Sequence, residues 1–292
     1  MSVKERDPLT GHLTTGHEWD GIVELNTPVP RPVWFFIATT AIWSFIIWLL
    51  LPTWPLVSTY TKGLLSTDQR KEVEQAVLEA DEARADWAAR ITDLPVEKIL
   101  ADPDLAEIVR TSGPQLFGDN CAACHGLDAN GGPGFPSLTD SAWLWGGEFD
   151  TVMETIRVGI NSDHPETRFG QMMAFGRDGI LSRDDIRAVA AYVRSLSGTS
   201  GLSAQAEQGK SLFADNCVTC HAEDGSGDIA MGAPDLTDDF WIYGGSSREL
   251  FDTIFGGRQG WMPAWEERLP ETERKILAIY LEELGQQDGN PQ

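Results

Sequence analysis

Two short stretches carry the candidate chemistry of this chain: NCAACHG at residues 120–126 and NCVTCHA at residues 216–222. Together they use all four cysteines, Cys121, Cys124, Cys217 and Cys220, and each pair runs straight into a histidine, His125 or His221. A Cys-x-x-Cys pair can ligate zinc, shuttle a disulfide or, with the histidine attached, anchor a c-type haem. A structural zinc site takes four protein ligands, and each copy offers three unless two domains share one ion. Redox shuttling has no need of an adjacent histidine. The haem reading leaves no residue idle, with two thioethers to the porphyrin and a proximal imidazole to the iron.

An iron that carries electrons needs a sixth ligand, and methionine or histidine are the usual donors. Met231 follows His221 by only ten residues, which keeps it on the proximal side, and Met153 belongs to the apolar pattern FDTVMETI. Met172, in MMAF, lies 47 residues after His125, and Met262, in MPAW, lies 41 after His221. Aligning the two quartets sets Met172 opposite Met262, so these two are the expected ligands, with Met173 the alternative to Met172. Arg168 and Arg258, just ahead of the methionines, are candidates to neutralise haem propionates. His164 shares a loop with Met172 and reads either as a haem-edge hydrogen-bonding group or as a surface histidine. His12 and His17 stand far from both motifs.

The repeat extends well beyond the cysteines. GPQLFGDNCAACH matches GKSLFADNCVTCH, PSLTDSAWLWGG (136–147) matches PDLTDDFWIYGG (234–245), and the helical patterns SRDDIRAVAAYVRSL and ETERKILAIYLEEL each hold one tyrosine, Tyr192 and Tyr280. Ser182 and Asp185 have capping-box spacing, as do Ser66 and Gln69. Each copy thus reads as a helix ending in the motif, a Gly/Pro-rich loop, a methionine loop and a closing helix. That order resembles a class I cytochrome c domain, over residues 113–198 and 205–285. In that fold the first and last helices cross, which sets Phe117 near Tyr192 and Phe213 near Tyr280. Each domain ligating its own iron is the simple expectation. A pair joined by SGTSGLSAQ can also exchange methionine loops, and both arrangements stay open on the sequence.

The organisation expected is mainly α: a segment at 1–32, a membrane anchor at 33–57, a helical spacer or docking segment at 58–112, a cytochrome c domain at 113–198, a linker at 199–204 and a second domain at 205–292. The anchor rests on VWFFIATTAIWSFIIWLLL, residues 33–51, nineteen residues without a charge, at about 1.5 Å rise per residue enough for one bilayer-spanning helix. Trp34, Trp54 and Tyr60 suit the interfaces. Lys and Arg are balanced across the span, so orientation follows from the chemistry: bacterial c-type haem is attached in the periplasm, which leaves the N-terminus cytoplasmic and the chain in the inner membrane. The net charge of −23 over 292 residues argues against nucleic acid and suits either surface solubility or a basic protein partner.

With the leader TGHEWDGIVELNTPVPRP (15–32), the span and the doubled motif, the chain resembles over essentially its whole length the dihaem subunit III (CcoP or FixP) of cbb3-type cytochrome c oxidases. The family's Met-Pro before Ala-Phe is Met-Met here. The resemblance implies two covalent haems c, single electrons accepted from a periplasmic cytochrome c or the bc1 complex, and delivery towards the oxygen-reducing subunit I, beside a monohaem subunit II. The chain has no general base, nucleophile or open metal position of its own, so catalysis is expected elsewhere in the complex. A dihaem peroxidase, a haem gas-binding module and an anchored donor to another reductase are the rival readings.

Overall fold

The computed structural model describes residues 5–198 and 203–287, and divides at Ala83/Arg84 into two compact units. Residues 199–202 of the expected linker lie outside the described residues.

In the first unit the leader is a hairpin. Strands β1 (Thr14–Trp19) and β2 (Ile22–Leu25) pair antiparallel, joined by Asp20-Gly21 with φ of 50° and 84°. Left-handed values at both central residues are what a two-residue hairpin turn requires, and Asp-Gly supplies them cheaply. Glu24 holds the strands together by accepting from the Thr15 hydroxyl and the Trp19 indole, each at 3.0 Å. Helix α1 (Arg31–Leu50) opens with proline in its first turn, has no buried residue, and is long and apolar enough to cross a membrane. The chain then folds back on it: the Leu64 and Leu65 N–H groups donate to the carbonyls of Leu49 and Leu50, satisfying acceptors that a helix end otherwise leaves bare.

Helix α2 (Gln69–Asp93) starts later than a capping box of Ser66 and Gln69 would place it, and its cap is different. Asp68 Oδ1 accepts from the Lys71 N–H, while Ser66 sits outside the helix at φ 49°. Pro95 and Pro103 interrupt as expected, setting off α3 (Val96–Ala101) and opening α4 (Pro103–Asn120). Helix α4 runs through the expected boundary at 112/113 without a break. From Arg84 onward the segment read as a spacer belongs to the second unit and contributes Ile91, Ile99, Leu105 and Val109 to a buried cluster with Ile276 and Ile279.

The second unit continues with α5 (Ala122–His125), α6 (Phe149–Val158), α7 (Arg183–Leu196), α8 (Ala204–Asn216), α9 (Val218–His221), α10 (Ser247–Gly256) and α11 (Glu271–Gln287). Ser182 and Asp185 form the capping box expected of α7. The closing helices, however, do not return to their own copies. Phe117 of α4 meets Tyr280 of α11, ring centres 5.9 Å apart, and Phe213 of α8 meets Tyr192 of α7 at 5.3 Å. The expected pairs, Phe117 with Tyr192 and Phe213 with Tyr280, are thus corrected. One core holds α4, α6 and α11 around Phe117, Val152, Ile156 and Leu277; the other holds α7, α8 and α10 around Ile186, Val189, Phe213 and Ile254.

The crossings are set by glycine. A methyl group on Gly113 would stand 2.8 Å from the Tyr280 side chain, and one on Gly209 would overlap the Ala188 carbonyl oxygen. Real Cβ atoms do not come so close, so only glycine lets these helices approach. Gly209→Ala should destabilise the protein by about 1–3 kcal/mol, the usual cost of overpacking, measured by thermal unfolding. A protease site placed within 199–202 tests the exchange itself. After cleavage the two fragments should remain associated in native size-exclusion chromatography, because each core needs both.

Candidate functional site

Helix α4 delivers Cys121 and turns directly into α5, where the N–H groups of Cys124 and His125 both donate to the Cys121 carbonyl, at 3.1 and 3.0 Å. Helix α8 does the same for Cys217, Cys220 and His221. One turn of helix therefore carries both thiols and the imidazole of each motif. The Nδ1 of His125 lies 3.0 Å from the Pro136 carbonyl, and that of His221 lies 3.1 Å from the Pro234 carbonyl. A carbonyl only accepts, so Nδ1 carries the proton and Nε2 keeps its lone pair, the arrangement that orients a histidine for a metal. Burial holds both imidazoles below their ordinary pKa, hence neutral, against the opposing effect of those hydrogen bonds.

The alternative chemistries fit less well. Burial pushes the thiols of Cys121 and Cys217 up to about 11, with Cys124 and Cys220 adding to it. A redox cysteine reacts as its thiolate, which this burial disfavours. Among the described residues no three His, Cys, Asp or Glu side chains converge as a metal cage.

Each methionine loop is held by the other copy. The Met262 N–H donates to the Ile160 carbonyl at 2.9 Å and the Ile160 N–H returns to Met262 at 3.0 Å. Met172 and Arg258 exchange the equivalent pair at 2.8 and 3.1 Å. Gly159 and Gly257 precede these bridges, and a methyl group on either would overlap the Met262 or Met172 carbonyl oxygen. Met262 packs into the core with Cys121, and Met172 into the core with Cys217. Met173 is exposed, Met231 is exposed, and Met153 packs against apolar neighbours.

Two buried donors in this region have no acceptor: Trp143 Nε1 and Arg168 Nε. Trp143 packs in the core with Cys121 and Met262, while Arg168 donates from Nη2 to the Thr151 carbonyl of α6. Unsatisfied N–H groups of this kind suit the carboxylates of a haem, whose apolar ring suits the surrounding core. Arg168 and Arg258 both lie over an aromatic ring, Trp145 at 5.2 Å and Tyr243 at 4.3 Å, but the Nε of Arg258 is also satisfied, by Thr253 Oγ1. The residues present fit the group expected.

His164 has a role that spacing did not reveal. Its Nδ1 accepts from the Glu166 N–H, and its Nε2 lies 2.7 Å from Glu266. Arg157 binds Glu154, Glu166 and Glu266, at 2.8, 2.6 and 3.1 Å. The two groups tie the loop of one copy to the methionine loop of the other. His12 and His17 lie in the first unit.

Comparison with known proteins gives three successive matches along the chain. Residues 11–58 match the N-terminal domain of cytochrome oxidase-cbb3, FixP; residues 111–197 match cytochrome c; residues 204–281 match cytochrome c oxidase, cbb3-type, subunit III. The cbb3-type cytochrome c oxidase subunit FixP of Bradyrhizobium diazoefficiens is 45% identical over 284 residues, covering 96% of this chain and 97% of its own length. That of Azorhizobium caulinodans is 46% identical over 281 residues, covering 96% and 95%. The subunit CcoP of Azospirillum brasilense is 45% identical over 294 residues, covering 98% and 99%.

The unpaired indole N–H makes a specific expectation. Trp143→Phe keeps the ring in the core and removes one donor to a carboxylate, which leaves more negative charge beside the iron. The reduction potential of the haem on the first motif should fall while the second is unchanged, as read by spectroelectrochemical titration.

Proposed function

Since the chain belongs to the family of cbb3-type cytochrome c oxidase subunit III, with two cytochrome c domains and two covalent haems c, we propose that it relays single electrons by exchanged ligation. The first haem is held by Cys121, Cys124 and His125 with Met262 as sixth ligand. The second is held by Cys217, Cys220 and His221 with Met172. The observation that carries this is the reciprocal pairing of Met262 with Ile160 and of Met172 with Arg258, together with the core each methionine joins. Met172 rather than Met173 is supported by burial, since Met173 is 54% exposed.

Bound haem supplies a one-electron couple whose potential thioether ligation raises. The protein's part is to orient and insulate. Pro136 and Pro234 fix the two imidazole rings through Nδ1. The apolar cores exclude water from the ligands, and the bridges at Met172 and Met262 hold the thioethers in place. Met262 and Met172 would fill the sixth position of the two irons and leave none for peroxide or a gas, which favours electron transfer over the two haem-binding alternatives. Helix α1 anchors the chain, with the N-terminus cytoplasmic and the haem domains periplasmic. Electrons enter from a periplasmic cytochrome c or the bc1 complex and leave towards the oxygen-reducing subunit.

Ligation across the copies has a clean signature. In a chain carrying Cys121→Ser and Cys124→Ser, which should hold half the haem, Met172→Leu should abolish the near-infrared band of methionine-ligated ferric haem. Met262→Leu in the same background should leave that band intact. The reverse pattern would assign each methionine to its own copy.

The charge makes a second prediction. Five of the 45 acidic and three of the 22 basic residues precede residue 60, so the remainder carries a net charge of −21. Such a field accelerates encounter with a cationic cytochrome c more than it tightens the complex, and it is screened over about 8 Å at physiological ionic strength. Stopped-flow reduction by a cationic cytochrome c should slow steeply with added salt. A rate indifferent to salt would mean that the acidic surface does not steer the donor.

A further inference from the structure

The two cores are built from equivalent parts, but their outer faces differ. Around the core with Cys121, the outer side of α11 is covered by residues 84–109. Ile276 and Ile279 are fully buried against Ile91, Ile99, Leu105 and Val109, and Phe149 at the start of α6 packs into the same cluster. Lys275 donates to the carbonyls of Thr92 and Leu94, at 2.9 and 2.7 Å, so a cation on the closing helix receives the C-terminal end of a covering helix. That is the polarity a helix dipole favours.

The repeat locates the same place on the other core. Aligning Tyr192 with Tyr280 sets Arg187 at the position of Lys275, and the unbroken match of α6 with α10 sets Ser247 at the position of Phe149. Among the described residues of the second unit no covering helix packs there. A cleft of about 310 Å³ opens instead, lined by Arg187, Ser247, Arg248 and Phe251. Phe251 and Phe255 stack at 5.7 Å. The guanidinium of Arg183 lies over both rings, at 5.9 and 5.0 Å, and that of Arg187 over Phe251 at 5.6 Å. Arg187 is paired with Asp184, and Arg248 reaches Asp252 only at 3.9 Å with its side chain 91% exposed. Two guanidinium groups on one aromatic face, with that of Arg248 beside the same cleft, stand out on a chain whose net charge is −23.

We propose that this face seats an acidic helical segment of a neighbouring subunit of the oxidase, which covers α7 and α10 as residues 84–109 cover α6 and α11. Its carboxylates pair with Arg187 and Arg248, and an apolar side chain enters the cleft left where serine replaces Phe149. Guanidinium groups favour planar, two-point contact with carboxylates; stacking on Phe251 holds Arg187 ready for it, and Arg248 projects from the rim of the cleft. A cationic electron donor is repelled from this face, so the subunit contact and the donor contact occupy different sides of the haem domains. The inference rests on membership of the oxidase and not on the electron route or the ligand exchange.

Arg187→Lys and Arg248→Lys keep the charge and introduce amines that a zero-length carbodiimide can couple to carboxylates. With the purified oxidase complex, peptide mass spectrometry should find position 187 or 248 joined to an aspartate or glutamate of another subunit. Links confined to this chain's own carboxylates, or made to an added soluble cytochrome c, would overturn the proposal. Independently, Arg187→Glu with Arg248→Glu should increase the loss of this subunit in a moderate-salt wash while the haem spectrum of the isolated chain stays unchanged. Retention equal to that of the unmodified chain would also overturn it.

Discussion

Gly113 against Tyr280 and Gly209 against Ala188 and Tyr192 are the two close approaches on which the haem-bearing unit is assembled. Each lets a motif-bearing helix lie directly on a closing helix, and each joins residues from opposite copies of the repeat. From that constraint the rest follows. With α11 on α4, the loop before α11 must run past the end of α6, where Ile160 meets Met262; with α7 on α8, the loop before α7 meets Arg258 after α10. The Arg157 and His164 contacts to Glu266 then fasten the crossing from outside. Helix exchange, methionine placement and the surface charge network are one arrangement seen at three depths.

The two cores are related by the repeat but are not interchangeable. Only one has the helices from residue 84 onward against its closing helix, and only one has the unpaired donors Trp143 and Arg168 beside it. Arg258, the counterpart of Arg168, is occupied by Thr253 and Tyr243. Burial also holds the Arg168 guanidinium below its usual range, against the pull of Glu154. Such differences in hydrogen bonding and burial are among the means by which a protein separates the potentials of two chemically identical haems.

The motifs, the repeat, the apolar span and the capping box of α7 were all legible because each is a local pattern with a local cause. The exchange was not, and the reason is visible in the residues. Phe117 and Phe213 are the same type, as are Tyr192 and Tyr280, so either pairing buries the same groups and composition cannot distinguish them. What decides is the path taken at Gly159–Ile160 and Gly257–Arg258, which is a property of two loops acting together. The hairpin was readable after all: Asp20-Gly21 between TTGHEW and IVEL is a direct signal for a two-residue turn. At α2 a nearer acid, Asp68, served as cap in place of Ser66. The arginine face required the packing of α7 on α10 before its members could be seen together.

A chain made from its N-terminus forward meets the exchanged arrangement in an uneven order. Helix α4 emerges early, yet the helix that covers it, α11, is the last described element. The first core cannot complete before α11 has been made, whereas most domains finish as units in the order they are made. The second core completes sooner, since α7, α8 and α10 are neighbours in the chain. Cys121, Cys124 and His125 are therefore made well before the helix that completes the core around them. Exchange thus closes the core of the earlier motif after that of the later one.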